Sequence, residues 1–276
     1  MKKETEFAIA PTDEELAQHQ GEFRFTQSEN ASPDVLSRSQ VDAFNADGYV
    51  SDLPIFDEEE IAEHRRFFDR LLAETEASGG DSYSISSAHL KYGRVYDLLS
   101  EPRIVGVVSD LLGENVIGWG SHYFCKMPGD GRPVAWHQDT TYWPMSESRT
   151  VTVWLAIDDA DQENACMKFV RGSHVFGLLD HRAEAADDAS VLDRGISDVE
   201  RYGTVVDVPL RAGQISVHSD LLVHSSPANE SSRRRCGLTL RYCVPELRAG
   251  LGWNDKGVVV RGTDPTGHWS NPERPS

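Results

Sequence analysis

From about residue 115 the chain becomes a series of short runs, NVIGWGSHYFCKM, TVTVWLAID, ACMKFV, GTVVDV, GQISVH, LLVHSS and GLTLRYCV, separated by turn-rich segments. Runs this short and this rich in Val, Ile, Thr and aromatics suit pleated, half-buried surfaces. Recurring so closely, they predict an all-β sandwich or barrel. Helical signals come before them. Ser37 with Gln40 forms a capping box ahead of inward Val41 and Phe44, and Asp47-Gly48 turns the chain afterwards. Asp57 with Glu60 opens a longer helix carrying Ile61, Phe68, Leu71 and Leu72, ending near Gly79-Gly80. Pro102, then Ile104, Val107, Val108 and Leu111 before Gly113, mark a third. Helices followed by strands make an α+β layout. No internal boundary interrupts residues 35–276, so one domain is expected there, with its β core at about 115–248. The polar residues 1–34 read as an arm, and the polar insert at about 178–203 as a lid over the mouth of a barrel.

Within AWHQDTTYW, His137 and Asp139 form a His-x-Asp pair at an expected strand end. Residues i and i+2 of a strand share a face, so imidazole and carboxylate converge while Gln138 points away. His224 in LLVHSSPAN follows another apolar run that can return beside the first. Two imidazoles and one carboxylate on one face suit iron(II) and leave open positions for small molecules. His218 is the competing third ligand; His122 and His174 read as structural.

The formal charge of −18 argues against nucleic acid or an anionic membrane as partner, because both are bound by clustered Lys and Arg. The four cysteines, Cys125, Cys166, Cys236 and Cys243, show no paired spacing and are too few for a disulfide framework. MKKETEF has no apolar signal region, and no run of about 18 apolar residues exists. The expectation is a cytoplasmic protein acting on a small molecule, with homo-oligomerisation left open.

HQD at 137–139, HSSPANESSRRR at 224–235, ENACMKFVRGSH at 163–174, and the opening SQVDAFNADGYV with DEEEIAEHRRFFDRLL resemble the phytanoyl-CoA dioxygenase family over residues 35–248. The resemblance implies a double-stranded β-helix, a cupin-like jelly roll, that uses iron(II), 2-oxoglutarate and dioxygen to hydroxylate small substrates. It assigns His137, Asp139 and His224 to the metal and Arg235 to the distal carboxylate of 2-oxoglutarate, which a planar bidentate donor suits. Ser226 falls beside that carboxylate, Trp154 on the wall of the cosubstrate pocket, and Tyr123 and Lys126 where further lining residues fall. Arg171 stands where many relatives carry a proline, changing a turn or placing a cation near the mouth. Related halogenases lack the carboxylate ligand, so the intact Asp139 argues against halogenation.

The family's range of substrates leaves this one open. An acidic chain without a basic patch disfavours acyl-CoA. Tyr142, Trp143, Tyr202 and Trp269 are expected to enclose a cationic or quaternary ammonium group, making the substrate a small polar metabolite such as an amine or aminophosphonate. Arg241 in LTLRY faces either the pocket or the outer side of its strand. Two rivals stand: the same iron centre directing desaturation, epimerisation or ring closure, and a non-catalytic jelly roll holding a structural ion.

Overall fold

The structure, a computed structural model, describes residues 11–182 and 190–276. The expected capping boxes are formed. Ser37 caps α2 (Arg38–Asp47) with Gln40 bonding back, and Gly48 ends it at φ 86°, a left-handed turn that glycine adopts freely. Asp57 and Glu60 do the same for α3 (Glu58–Ala77). Pro102 opens α5 (Pro102–Leu112), buried along most of its length. Two helices were not anticipated. In the arm, Thr12 and Glu15 cap α1 (Asp13–His19), and α4 (Gly93–Leu99) lies ahead of α5 without any side-chain cap.

The remaining elements are strands. β1 (Tyr49–Pro54), β2 (Val116–Lys126), β4 (Thr150–Ala156), β7 (Gln214–Ser219), β9 (Arg235–Cys243) and β10 (Val258–Arg261) make one antiparallel sheet in the order β1-β7-β4-β9-β2-β10. β3 (Val134–His137), β5 (Met167–Arg171), β6 (Thr204–Val208) and β8 (His224–Ser226) make the second, in the order β3-β8-β5-β6. Two facing antiparallel sheets with long crossovers are the jelly roll. Every expected strand run is a strand; β1 and β10, which add outer strands to the larger sheet, were not foreseen.

The main core lies between the helices and the outer face of the larger sheet. Phe44, Phe68, Leu98 and Val108 meet Tyr123, Val153, Val217, Leu238 and Tyr242 there. Because the helices cover this face, the larger sheet is buried on both sides, which explains its near-continuous apolar runs. The inner face, between the sheets, is where polar side chains gather. Among the described residues, no helix is long and apolar enough to cross a membrane.

Candidate active site

Cross-strand register brings the metal-site residues together. His137 at the end of β3 pairs directly with His224 at the start of β8, and the rings lie 4.1 Å apart. Asp139 is not on the strand as expected. It begins a 3₁₀ turn, Asp139–Tyr142, that folds the carboxylate back toward both imidazoles. The Nε2 atoms of His137 and His224 each lie 3.8 Å from Asp139 Oδ1. Among the described residues, these three are the group whose donor atoms all lie within 4.8 Å of one another.

The other nitrogens and oxygen are used to aim the first. His137 Nδ1 meets the carbonyl of Ala135 at 2.8 Å and His224 Nδ1 that of Leu222 at 2.9 Å, so each ring presents Nε2 inward. Thr152 Oγ1 donates to Asp139 Oδ2 at 2.7 Å, leaving Oδ1 for the centre. His218 Nε2 lies 3.6 Å from that same Oδ2, on the Thr152 side, so the competing histidine stands behind the carboxylate and outside the converging set. Burial alone would raise the Asp139 carboxyl, but His137, His218 and the charge of His224 hold it well below its usual range. Burial, then the neighbouring His137, pushes the His224 imidazole well down. A carboxylate and neutral imidazoles are the forms a metal requires.

Gln138 points away from the centre, as expected. Fully buried, it donates to the carbonyls of Gly177 and Leu221 and accepts from Leu179 N–H, stapling the start of the insert under the site. His181 accepts from Gln138 N–H at 3.0 Å, and the Tyr142 hydroxyl donates to Arg194 O at 3.3 Å. Residues 183–189 of the expected lid lie outside the described residues, as do residues 1–10 of the arm. The described part of the arm reaches the same loop: Gln20 Nε2 donates to the carbonyls of Thr140 and Trp143.

Arg235, 2% exposed, lies on the inner face of β9. Its guanidinium donates to Ala165 O at 3.0 Å and Ser226 Oγ at 3.0 Å and stands 5.6 Å from the Trp154 ring. Among the described residues it has no carboxylate partner. Its neighbours differ: Arg233 pairs with Asp161 and Glu163, and Arg234 with Asp158 and Asp69. Trp154 lies across Gly237, where a Cβ would fall 2.0 Å from the ring. Gly237→Ala is therefore expected to push Trp154 out of place at a cost of about 1–3 kcal/mol. Denaturant unfolding measures this, and an unchanged midpoint would show that the ring has room to move.

Two expected lining residues offer no donor to the pocket. Tyr123 points to the outer, helix-facing side of β2, its ring 4.8 Å from Phe68 and fully buried in the main core. Strand alternation with a bulge between Gly118 and Gly120 sets that direction. Lys126 does face inward, but its ammonium donates to the carbonyls of Arg132, Ser226 and Pro227. All three of its protons are used, which leaves none for a ligand.

The four-ring aromatic enclosure is not formed. Tyr142 lies 6.0 Å from His137 and shares one apolar cluster with Trp143 and with Trp269, which is buried and bonded to Pro245 O, but Tyr202 belongs to a different cluster and packs on Phe176 at 5.4 Å. Trp143 stacks edge-on to Trp119 at 4.8 Å, and the nearby cation is the protein's own Arg241, 5.2 Å from the Trp143 ring. Arg241 pairs across the strand with Thr152, which places it on the inner face with the Asp139 partner. Arg171 lies 3.9 Å from Asp47 and half exposed, just before the left-handed Gly172, so it belongs to a turn.

Residue reading missed Asp220, fully buried behind the loop. It accepts from Ser148 Oγ at 2.6 Å while its Oδ2 has no partner among the described residues. Burial, together with the charge of Asp139, pushes its carboxyl up to about 7. Unfolded, it loses its proton near pH 4. Folding thus binds a proton between about pH 4 and 7, and stability of the metal-free protein should fall as pH rises through that window. Asp220→Asn is expected to flatten this slope and to gain on the order of a few kcal/mol at about pH 8. Unfolding curves of both proteins at about pH 5 and 8 decide it; equal slopes would remove Asp220 as the cause.

The sequence model of the phytanoyl-CoA dioxygenase (PhyH) family matches residues 44–237. A probable alpha-ketoglutarate-dependent hypophosphite dioxygenase of Stutzerimonas stutzeri is 27% identical over 177 residues, covering 63% of this chain and 61% of its own length. The chain thus spans less than two thirds of that relative. The methylphosphonate hydroxylase of Gimesia maris is 26% identical over 220 residues, covering 75% of this chain and 81% of its own. Among solved structures, the non-heme monooxygenase ThoJ in its apo form superposes with a TM-score of 0.72 at 28% identity, covering 85% of this chain and 87% of that one. With the jelly roll, the converging His-Asp-His donors and a family match over more than half of its length, the chain belongs to the phytanoyl-CoA dioxygenase family.

Proposed function

We propose that this protein is an iron(II)- and 2-oxoglutarate-dependent dioxygenase that hydroxylates a small polar metabolite. The observation that carries this reading is the pairing of the His137, Asp139 and His224 donors with Arg235, a buried guanidinium lacking a carboxylate partner among the described residues, on the facing sheet. A structural ion needs the first and has no use for the second. His137, Asp139 and His224 would hold the metal, their Nε2 and Oδ1 atoms already aimed by Ala135, Leu222 and Thr152. Iron(II) with 2-oxoglutarate and dioxygen supplies the oxidation of a C–H bond, releasing succinate and carbon dioxide. The protein's share is placement and exclusion of water. Arg235 and the Ser226 hydroxyl orient the distal carboxylate of the cosubstrate, with Trp154 as its wall. The described parts of arm and insert close over the loop after Asp139 through Gln20, His181 and Arg194.

Of the candidate substrates, amines and quaternary ammonium compounds lose their support, because Tyr202 lies apart from the other three rings, Trp269 is buried and the Trp143 ring already faces Arg241. A phosphonate-type metabolite keeps it, and two relatives are named for hypophosphite and methylphosphonate. Anaerobic titration with iron(II) and then 2-oxoglutarate tests the class. The expected result is the weak visible charge-transfer band of the chelate; metal binding without that band would favour a non-catalytic ion site.

A further inference from the structure

Acidic residues outnumber Lys and Arg by 45 to 27 in this chain, so a cation without an acidic partner is not left alone for want of one. Two such cations, Arg241 of β9 and Lys256 of the 3₁₀ turn Trp253–Lys256, stand against one group of tryptophan rings. The Arg241 stem lies flat over Gly120 of β2, where a Cβ would meet its Cβ, Cγ and Cδ at 3.2–3.5 Å. Its guanidinium stands 6.0 Å from the Trp119 ring and 5.2 Å from the Trp143 ring, and Nε is buried with no hydrogen-bond partner. Trp119 in turn lies 5.8 Å from Trp253, over which the Lys256 ammonium sits at 4.1 Å. Among the described residues, neither the Arg241 nor the Lys256 side chain has an ion pair or hydrogen bond. Trp119 Nε1, buried, has no acceptor either.

Holding these groups together without a counter-ion is unfavourable. Burial, and then the charge of Arg241, pulls the Lys256 ammonium below its usual range. The carboxylate that acts on Arg241 is Asp139, whose charge the metal would take up. Thr152, cross-strand neighbour of Arg241, bonds that carboxylate, so Arg241 lies one residue from the metal donors.

We infer that Arg241, Lys256 and the Trp119 indole N–H, framed by Trp143 and Trp253, form a subsite for a phosphonate-class oxyanion of the substrate. The inference rests on the proposed function and names the substrate class for that site. Two cations and a neutral donor match an oxyanion with three oxygens and up to two charges, which a carboxylate does not use fully. The rings supply flat, apolar walls that keep water from competing and hold the guanidinium in place.

Binding is read by tryptophan fluorescence, since Trp119, Trp143 and Trp253 line the subsite, in apo-protein and in protein loaded anaerobically with iron(II) and 2-oxoglutarate. Methylphosphonate and inorganic phosphate are expected to perturb the signal saturably, acetate more weakly, and choline not at all. Arg241→Gln and Lys256→Gln should each weaken methylphosphonate by roughly tenfold or more, with Arg241→Lys intermediate, while 2-oxoglutarate affinity stays unchanged. Lys256 is partly buried and on a turn, so Lys256→Gln serves even where Arg241→Gln fails to fold. Binding of choline in place of the anions, or no anion binding by folded protein, overturns the subsite. So does a raised 2-oxoglutarate requirement in Arg241→Gln, which would make Arg241 a cosubstrate residue. Loss of the chelate band with phosphonate binding retained would count against the oxygenase reading and leave the subsite standing.

Discussion

Asp139→Ala is expected to reduce succinate formation to the level without enzyme and to strip the site of retained iron(II). The side chain supplies the single anionic donor of the converging set, its Oδ1 3.8 Å from both Nε2 atoms. Removing it leaves only the two imidazoles, His137 and His224, to hold a dication. Loss of an outer partner alone commonly costs 10–100-fold in metal affinity, so losing the ligand should exceed about a hundredfold. Thr152→Val supplies the graded comparison. It keeps Asp139 but removes the 2.7 Å hydrogen bond that turns Oδ2 away from the centre, and a decrease of roughly 10–100-fold is expected. Both effects are read by iron(II) titration and by 2-oxoglutarate turnover. Full activity in Asp139→Ala would overturn the metal-site assignment, and an unaltered Thr152→Val would show that the carboxylate is aimed by His218 instead.

Arg235→Ala should act differently, raising the 2-oxoglutarate requirement by roughly thirtyfold, about 2 kcal/mol, through loss of a charge-assisted pair. The maximal rate at saturating cosubstrate should change less. The local structure narrows the alternatives. Arg234 is committed to Asp158 and Asp69, and Lys126 donates to three carbonyls. If the requirement does not change, the unpaired guanidinium left on the inner face among the described residues is Arg241. Titrating 2-oxoglutarate against Arg235→Ala and Arg241→Gln in parallel therefore separates the cosubstrate end of the cavity from the substrate end.

Much of the architecture was readable in the residues because its signals are local. Capping boxes at Ser37 and Asp57 work within one turn, and Pro102 presets its own φ, so the helices they open lie where expected. The strand runs between 115 and 244 followed from branched and aromatic side chains recurring between turns. Short elements failed this way: β1 and β10 are held by pairing with β7 and β2, and α4 lacks a capping signal. In the site, a His-x-Asp pair with a later histidine was enough to name the donors. The alternation of Thr150, Thr152 and Trp154 along one strand carried a signal for the Asp139 partner that was not used.

Side-chain direction was the part that sequence reading left open. A sheet covered by helices on one face and by a second sheet on the other is apolar or buried throughout, so alternation no longer tells inside from outside. The residues alone thus determined the three longer helices, the central strands and the converging donor set, and they singled out Arg235. The tertiary structure decided that Tyr123 faces Phe68 and the helices, that Lys126 is spent on backbone carbonyls, and that Arg241 lies between Trp119 and Trp143. Each of those outcomes depends on cross-strand register and on one bulge in β2, where a shift of a single residue would exchange the two faces.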